Sequence, residues 1–190
     1  MQLQELMKNI QFTGTPDNRE ISAITYDSRK VKPGTLFVAI SGMQTDGHEF
    51  IPQAIENGAV AILSNGRSPK TKAVPILQVE DPRSAMSHIS AQFYGNPSTA
   101  MNVVGITGTN GKTSITHILY HILQNSEISC GTLGTLGFRT PTGMMSTGFT
   151  TPESVELQQM LQTLKMAGVD NIIMEISSHA LDLHRVDDVD

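Results

Sequence analysis

Gly108-Thr109-Asn110-Gly111-Lys112-Thr113-Ser114 follows the apolar run Val103-Val104-Gly105-Ile106 and leads into Ile115, Ile118, Leu119, Ile122 and Leu123 at helical spacing. This pattern predicts a buried strand, a glycine-bearing turn and an amphipathic helix. A polyphosphate fits such a turn because backbone amides must reach it, and Gly108 and Gly111 permit conformations and approaches that a side chain forbids. Lys112 supplies a positive charge for the β- and γ-phosphates. Thr113 offers a hydroxyl to a magnesium ion, and the helix start adds its partial positive charge. The strict G-x-x-x-x-G-K-[ST] pattern wants glycine at 106, where this chain has Ile106, so the loop is a variant. A glycine-rich turn with an incidental lysine is the plain alternative, and the flanking strand and helix disfavour it. Binding of a nucleoside triphosphate through residues 108–114 is expected.

Outward from the loop, strands and helices alternate. Upstream, Glu20–Tyr26, Thr35–Ile40, Ala59–Leu63 and Pro75–Val79 read as strands, and Phe50–Asn57 as a helix closed by Gly58. Asp81-Pro82 looks like an N-cap and first helical residue, with Ala85, Met86, Ile89 and Phe93 as the buried stripe. Downstream, a strand near Ile128–Leu133 precedes a glycine-studded segment. Thr151 reads as the N-cap and Pro152 as the first residue of a helix carrying Leu157, Met160, Leu161 and Leu164, and Val169–Ile176 reads as a strand. The fold class is therefore α/β with mostly parallel sheets. Gly95-Asn96-Pro97-Ser98-Thr99 places a boundary between a small domain, 1–97, and a second one, 98–190. About three strands after residue 100 are few for a nucleotide-binding sheet, so the second domain is expected to be incomplete.

Ligands of open α/β sheets bind beyond the carboxyl ends of the strands. Glu175, ending the run Ile172-Ile173-Met174, is thus a candidate magnesium carboxylate, with a strand-end cap or a lysine partner as the alternative. His117 and His121 have a metal-compatible spacing but lack the glutamate of H-E-x-x-H and lie off the apolar stripe, so a solvated face is expected.

Composition bounds the rest. The 190 residues carry a net charge of −5 and no Trp, which argues against a nucleic-acid platform. No run approaches the roughly 18 apolar residues of a membrane span, and the first residues lack a secretory signal, so a cytoplasmic location without membrane insertion is expected. Cys130, the only cysteine, reads as a small buried strand residue.

Four stretches together resemble the Mur ligases, and within them the branch that adds the third amino acid of the peptidoglycan stem. They are Tyr26-Asp27-Ser28-Arg29-Lys30-Val31-Lys32-Pro33-Gly34, Gly105–Thr113, Thr150-Thr151-Pro152, and Met174-Glu175-Ile176-Ser177-Ser178-His179-Ala180-Leu181. The resemblance runs through the whole chain. It implies a UDP-binding N-terminal domain followed by the front of a phosphate-loop ATPase domain. ATP and Mg2+ would be held by Gly108, Thr109, Asn110, Gly111, Lys112, Thr113, Ser114 and Glu175, with Lys112 catalytic. UDP-MurNAc-L-Ala-D-Glu would be held by Tyr26, Ser28, Met43, Gln44, Thr45, Thr150, Thr151, Ser177 and Arg185. Arg185 suits a phosphate or carboxylate because its planar fork binds such groups bidentately; a surface arginine near an acidic tail is the alternative. Phe149 and Leu183 stand where some relatives carry polar substrate contacts. The implied reaction joins a diamino acid, meso-diaminopimelate or L-lysine, to the D-Glu γ-carboxylate through an acyl phosphate. A monomer is expected, and the 190 residues are expected not to ligate alone. A nucleotide-gated switch module, another Mur-type ligase and a folylpolyglutamate synthetase are the competing readings; the Asp-Ser-Arg stretch speaks against the last, and Ser-Ser-His-Ala-Leu against the following Mur ligase.

Overall fold

Short apolar strands alternating with helices give this chain two sheets, one in each of two units, Met1–Ile89 and Ser90–Asp190. The computed structural model describes residues 1–42, 45–66, 73–140, 143–145 and 148–190. In the first unit β1 (Ala23–Thr25), β2 (Thr35–Val38), β3 (Ala59–Ser64) and β4 (Ile76–Gln78) lie side by side in that order, all parallel. Parallel neighbours need a crossover, and α2 (Ile51–Glu56) supplies the one from β2 to β3. β2 is buried along its whole length, as expected where both faces of a parallel sheet are covered. Its Phe37 packs with Ile51 and Ala54 of α2 and with Ile62 of β3. Gly58, at φ +104°, closes α2 as predicted; a side chain there would crowd the Pro33 backbone. Leu3 and Leu6 of α1 (Leu3–Leu6) are buried, and α3 (Pro82–Phe93) begins where Asp81 accepts from the Arg83 amide at 2.7 Å.

The second unit's sheet has the order β5 (Asn102–Ile106), β9 (Asn171–Glu175), β6 (Cys130–Gly134), β7 (Gly137–Thr140), β8 (Gly143–Met145). The first three are parallel, and β6, β7 and β8 form an antiparallel meander. Five strands therefore stand where the sequence suggested about three. Glycines at 131, 134, 137 and 143 hide the meander's alternation, and Gly137, at φ +124°, turns the chain from β6 into β7. α5 (Ser154–Met166) lays Leu157, Leu161 and Leu164 against Leu133, Phe138, Ile172 and Met174. Burying each of these side chains contributes roughly 1.5–3 kcal/mol.

Three local expectations are corrected. The helix begins at Ser154 after Glu153 in the N-cap position, not at Pro152 after Thr151, because the Thr151 hydroxyl is engaged with β9. The run Val103–Ile106 forms the edge strand β5, with Val104 47% exposed, where a buried strand was expected. Of the stripe Ile115, Ile118, Leu119, Ile122, Leu123 on α4 (Lys112–Asn125), the leucines are half-buried while the three isoleucines point outward, with Ile118 59% exposed. Thr113 explains the rotation. Its hydroxyl bonds Glu175, which turns the line Thr113, Thr116, Tyr120, Gln124 toward the sheet and puts the isoleucines half a turn away.

Candidate active site

Strand register brings the second unit's candidates together. Ile106, the last residue of β5 before the glycine loop, pairs with Glu175, the last residue of β9, and the Ile176 amide donates to the Ile106 carbonyl at 2.8 Å. Leu133 of β6 pairs with Met174, so Gly134 and Thr135 reach the same sheet end from the other side of β9. Residues 107–111 are exposed, Gly108 and Gly111 take positive φ of +144° and +82°, and Gly111 sits at the N-cap of α4. The first amides of a helix, here Lys112, Thr113 and Ser114, have no intrahelical acceptor and suit an anion. Lys112 Nζ donates to the Gly108 carbonyl at 2.7 Å, which holds the ammonium over the loop.

Glu175 is 1% exposed. Its Oε2 accepts from the hydroxyls of Thr113 at 2.9 Å and Thr135 at 3.1 Å, and its Oε1 from the Thr135 amide at 3.1 Å. All these donors are neutral, and no cation pairs with the carboxylate among the described residues. A buried carboxylate with only neutral partners favours a cation beside it. Carboxylate and hydroxyl oxygens suit magnesium, which takes one or two protein ligands and completes its shell with phosphate oxygens and water. No cluster of three or more His, Cys, Asp or Glu forms among the described residues; His117 is half-buried and His121 exposed.

Beside this carboxylate stand the second unit's other candidates. The Thr151 hydroxyl donates to the Glu175 carbonyl at 2.9 Å and accepts from the Ser177 amide at 3.1 Å, so it pins the loop to the end of β9. Ser177 caps α6 (Ser178–Asp182) by accepting from the Ala180 amide. Arg185 pairs with Glu153 at 2.8 Å and donates to the Thr151 carbonyl at 3.0 Å. The arginine is thus built into the site wall rather than paired with the acidic tail, and an anionic ligand would share its fork with Glu153. Thr150 Oγ1 lies 3.1 Å from Thr135 Oγ1. Phe149 is exposed and Leu183 half-buried. Sequence reading missed Thr135 and Glu153. Neither a charge nor a motif in the sequence singles out Thr135.

In the first unit, Tyr26 is half-buried just beyond β1, and the Asp27 carboxylate accepts from the Arg29 amide and from its guanidinium at 2.9 and 2.8 Å. That pairing holds the Asp27 carboxyl below its usual range. Ser28 is buried; its hydroxyl donates to Gln53 Oε1 at 3.0 Å, and Asn57 donates to its carbonyl at 3.0 Å. Both partners belong to α2 or its cap, so the Asp-Ser-Arg turn is tied to that helix. Met43 and Gln44 lie outside the described residues; Thr45 is exposed and its carbonyl accepts from the Gly42 amide. Asp46 caps the next turn, accepting from the His48 amide at 3.1 Å and lying 2.5 Å from His48 Nδ1. The His48 hydrogen bond keeps the Asp46 carboxyl below its usual range.

Comparison with known proteins adds two family matches: the Mur ligase family catalytic domain over residues 20–94 and the Mur ligase middle domain over residues 106–190. The chain is 43% identical to the UDP-N-acetylmuramoyl-L-alanyl-D-glutamate--2,6-diaminopimelate ligase of Caldanaerobacter subterraneus, an alignment covering 100% of this chain and 40% of that protein. It is also 43% identical to the like-named ligase of Syntrophomonas wolfei, over 100% of this chain and 39% of the relative. A solved UDP-N-acetylmuramoyl-L-alanyl-D-glutamate--2,6-diaminopimelate ligase superposes with a TM-score of 0.83 at 25% identity, over 99% of this chain and 38% of that one. The MurF ligase of Thermotoga maritima, solved in complex with ADP, superposes at 0.54 with 29% identity, over 84% and 32%. The chain spans about two fifths of the length of the curated relatives it matches.

Proposed function

The chain belongs to the Mur ligase family, and on that premise we propose that it is part of a cytoplasmic ATP-dependent ligase of peptidoglycan precursor synthesis. Residues 1–97 would hold the UDP end of UDP-MurNAc-L-Ala-D-Glu through Tyr26, Ser28 and the loop 43–45. Residues 98–190 would hold ATP at 108–114 and the muramoyl peptide through Thr150, Thr151, Ser177 and Arg185. The amine would be meso-diaminopimelate or L-lysine, and the similarity to ligases named for 2,6-diaminopimelate favours diaminopimelate.

The carrying observation is the 2.9 Å bond from Thr113 Oγ1 to the buried Glu175 carboxylate at the mouth of the glycine loop. Magnesium there would neutralise charge on the β- and γ-phosphates. Lys112 and the first amides of α4 would bind the same oxygens and orient the γ-phosphoryl toward the substrate's γ-carboxylate. Transfer forms the acyl phosphate and leaves ADP; the amine then attacks the acyl carbon and expels phosphate. No side-chain nucleophile enters this scheme, so positioning and charge stabilisation carry it.

Isothermal titration of the chain with UDP-MurNAc-L-Ala-D-Glu, against UDP alone, tests the substrate assignment. Binding weakened by Ser28→Ala is the expected result. A folded chain that binds MgATP but neither UDP compound would remove the ligase substrate and leave the nucleotide-gated switch.

A further inference from the structure

We propose that Thr135 is a positioning residue, setting the orientation and cation affinity of the Glu175 carboxylate and tying it to the Thr150 hydroxyl; this rests on reading Glu175 and Thr113 as the magnesium site. Neither charge nor motif marks Thr135, yet it grips both oxygens of the carboxylate, Oε1 through its amide and Oε2 through its hydroxyl, each at 3.1 Å. The preceding Gly134 makes that grip possible. A Cβ at 134 would overlap the Glu175 carboxylate, so the chain carries hydrogen where the acid must lie against β6. Two bonds from one residue fix the rotation of the carboxylate plane, which a single hydroxyl could not.

The direction of the hydroxyl protons follows from the chemistry. An ionised carboxylate only accepts, so the Thr113 and Thr135 hydroxyls both donate to Oε2. Thr135 has spent its only hydroxyl proton there. At its 3.1 Å contact with Thr150 it must therefore accept, and Thr150 donates. Protons thus run Thr150 to Thr135 to Glu175, so the Thr150 oxygen offers only its lone pairs to a ligand and accepts from a donor on it. An N–H of a bound peptide suits that oxygen. An anion there would need the Thr150 proton, and taking it would break the link to Thr135.

Partners that orient a metal-binding carboxylate change metal affinity by about ten- to hundredfold when removed. The test is calorimetric titration of the 190-residue chain with ATP, in EDTA and across a magnesium series. Thr135→Val keeps shape and amide but removes the hydroxyl. It is expected to raise the magnesium concentration for half-maximal ATP binding by about tenfold or more while leaving affinity in EDTA unchanged. Thr135→Ser, which keeps the hydroxyl, is expected to restore the wild-type curve. Should Thr135→Val not fold, Thr135→Ala takes its place with the same expected shift. An unchanged magnesium curve in Thr135→Val, with Glu175→Gln shifting it, would overturn the role of Thr135 alone. Unchanged curves in both variants would overturn the metal site and the proposal with it. Equal losses with and without magnesium would mark a purely structural role and also overturn it.

Discussion

At the residue scale, opposite demands meet at Glu175. Burial makes an ionised carboxylate costly, and Thr113, Thr135 and the Thr135 amide offset that cost without neutralising the charge. Thr113→Val should therefore both weaken magnesium-dependent ATP binding and destabilise the second unit by about 1–3 kcal/mol, the cost of an unmade bond to a charged group. Urea unfolding and titration with MgATP would check the two halves, and a loss of stability alone would leave Thr113 without a ligand role. Asp27 and Asp46 carry a pH prediction. Hydrogen bonds from Arg29 and His48 hold their carboxyls below the ordinary value near 3.8. Their contribution is fully present above that value and is lost as pH falls through the lower folded-state values. Acid unfolding followed by circular dichroism should accordingly be shallower below pH ~4 in the double variant Asp27→Asn, Asp46→Asn. An unchanged slope would contradict it.

At the scale of elements, α4 shows what periodicity can and cannot reveal. Its isoleucine stripe was plain in the sequence, but the stripe's direction depends on one tertiary bond, Thr113 to Glu175, across 62 positions. Local spacing cannot see such a bond. The helix itself, the glycine loop, Asp81 before α3 and Gly58 after α2 were legible because each rests on neighbouring residues. The β6–β8 meander was not, since glycines erase its alternation, and Thr135 was not, since an uncharged residue at a strand end has no pattern of its own. Exposure yields a direct check. Ile118→Lys should change stability by less than about 0.5 kcal/mol, whereas Leu161→Ala, in the cluster under α5, should cost about 2–5 kcal/mol. Equal costs in urea unfolding would mean that α4 buries the stripe after all.

For the whole molecule, the chain covers about two fifths of its relatives' length, and its described residues set the phosphate loop beside the buried acidic end of β9. Nucleotide binding needs only those parts; amide formation needs an amine held against the acyl phosphate as well. Binding of MgATP is therefore the property expected of these 190 residues by themselves. The phosphate loop is tested most directly by calorimetric titration of MgATP into the wild-type chain and into Lys112→Ala, with folding checked by circular dichroism. Saturable binding by the wild type and binding weaker by roughly ten- to hundredfold in the variant are expected, the loss of one charge-assisted contact to phosphate. Equal affinity in two folded proteins would contradict this and take the phosphate site away from residues 108–114.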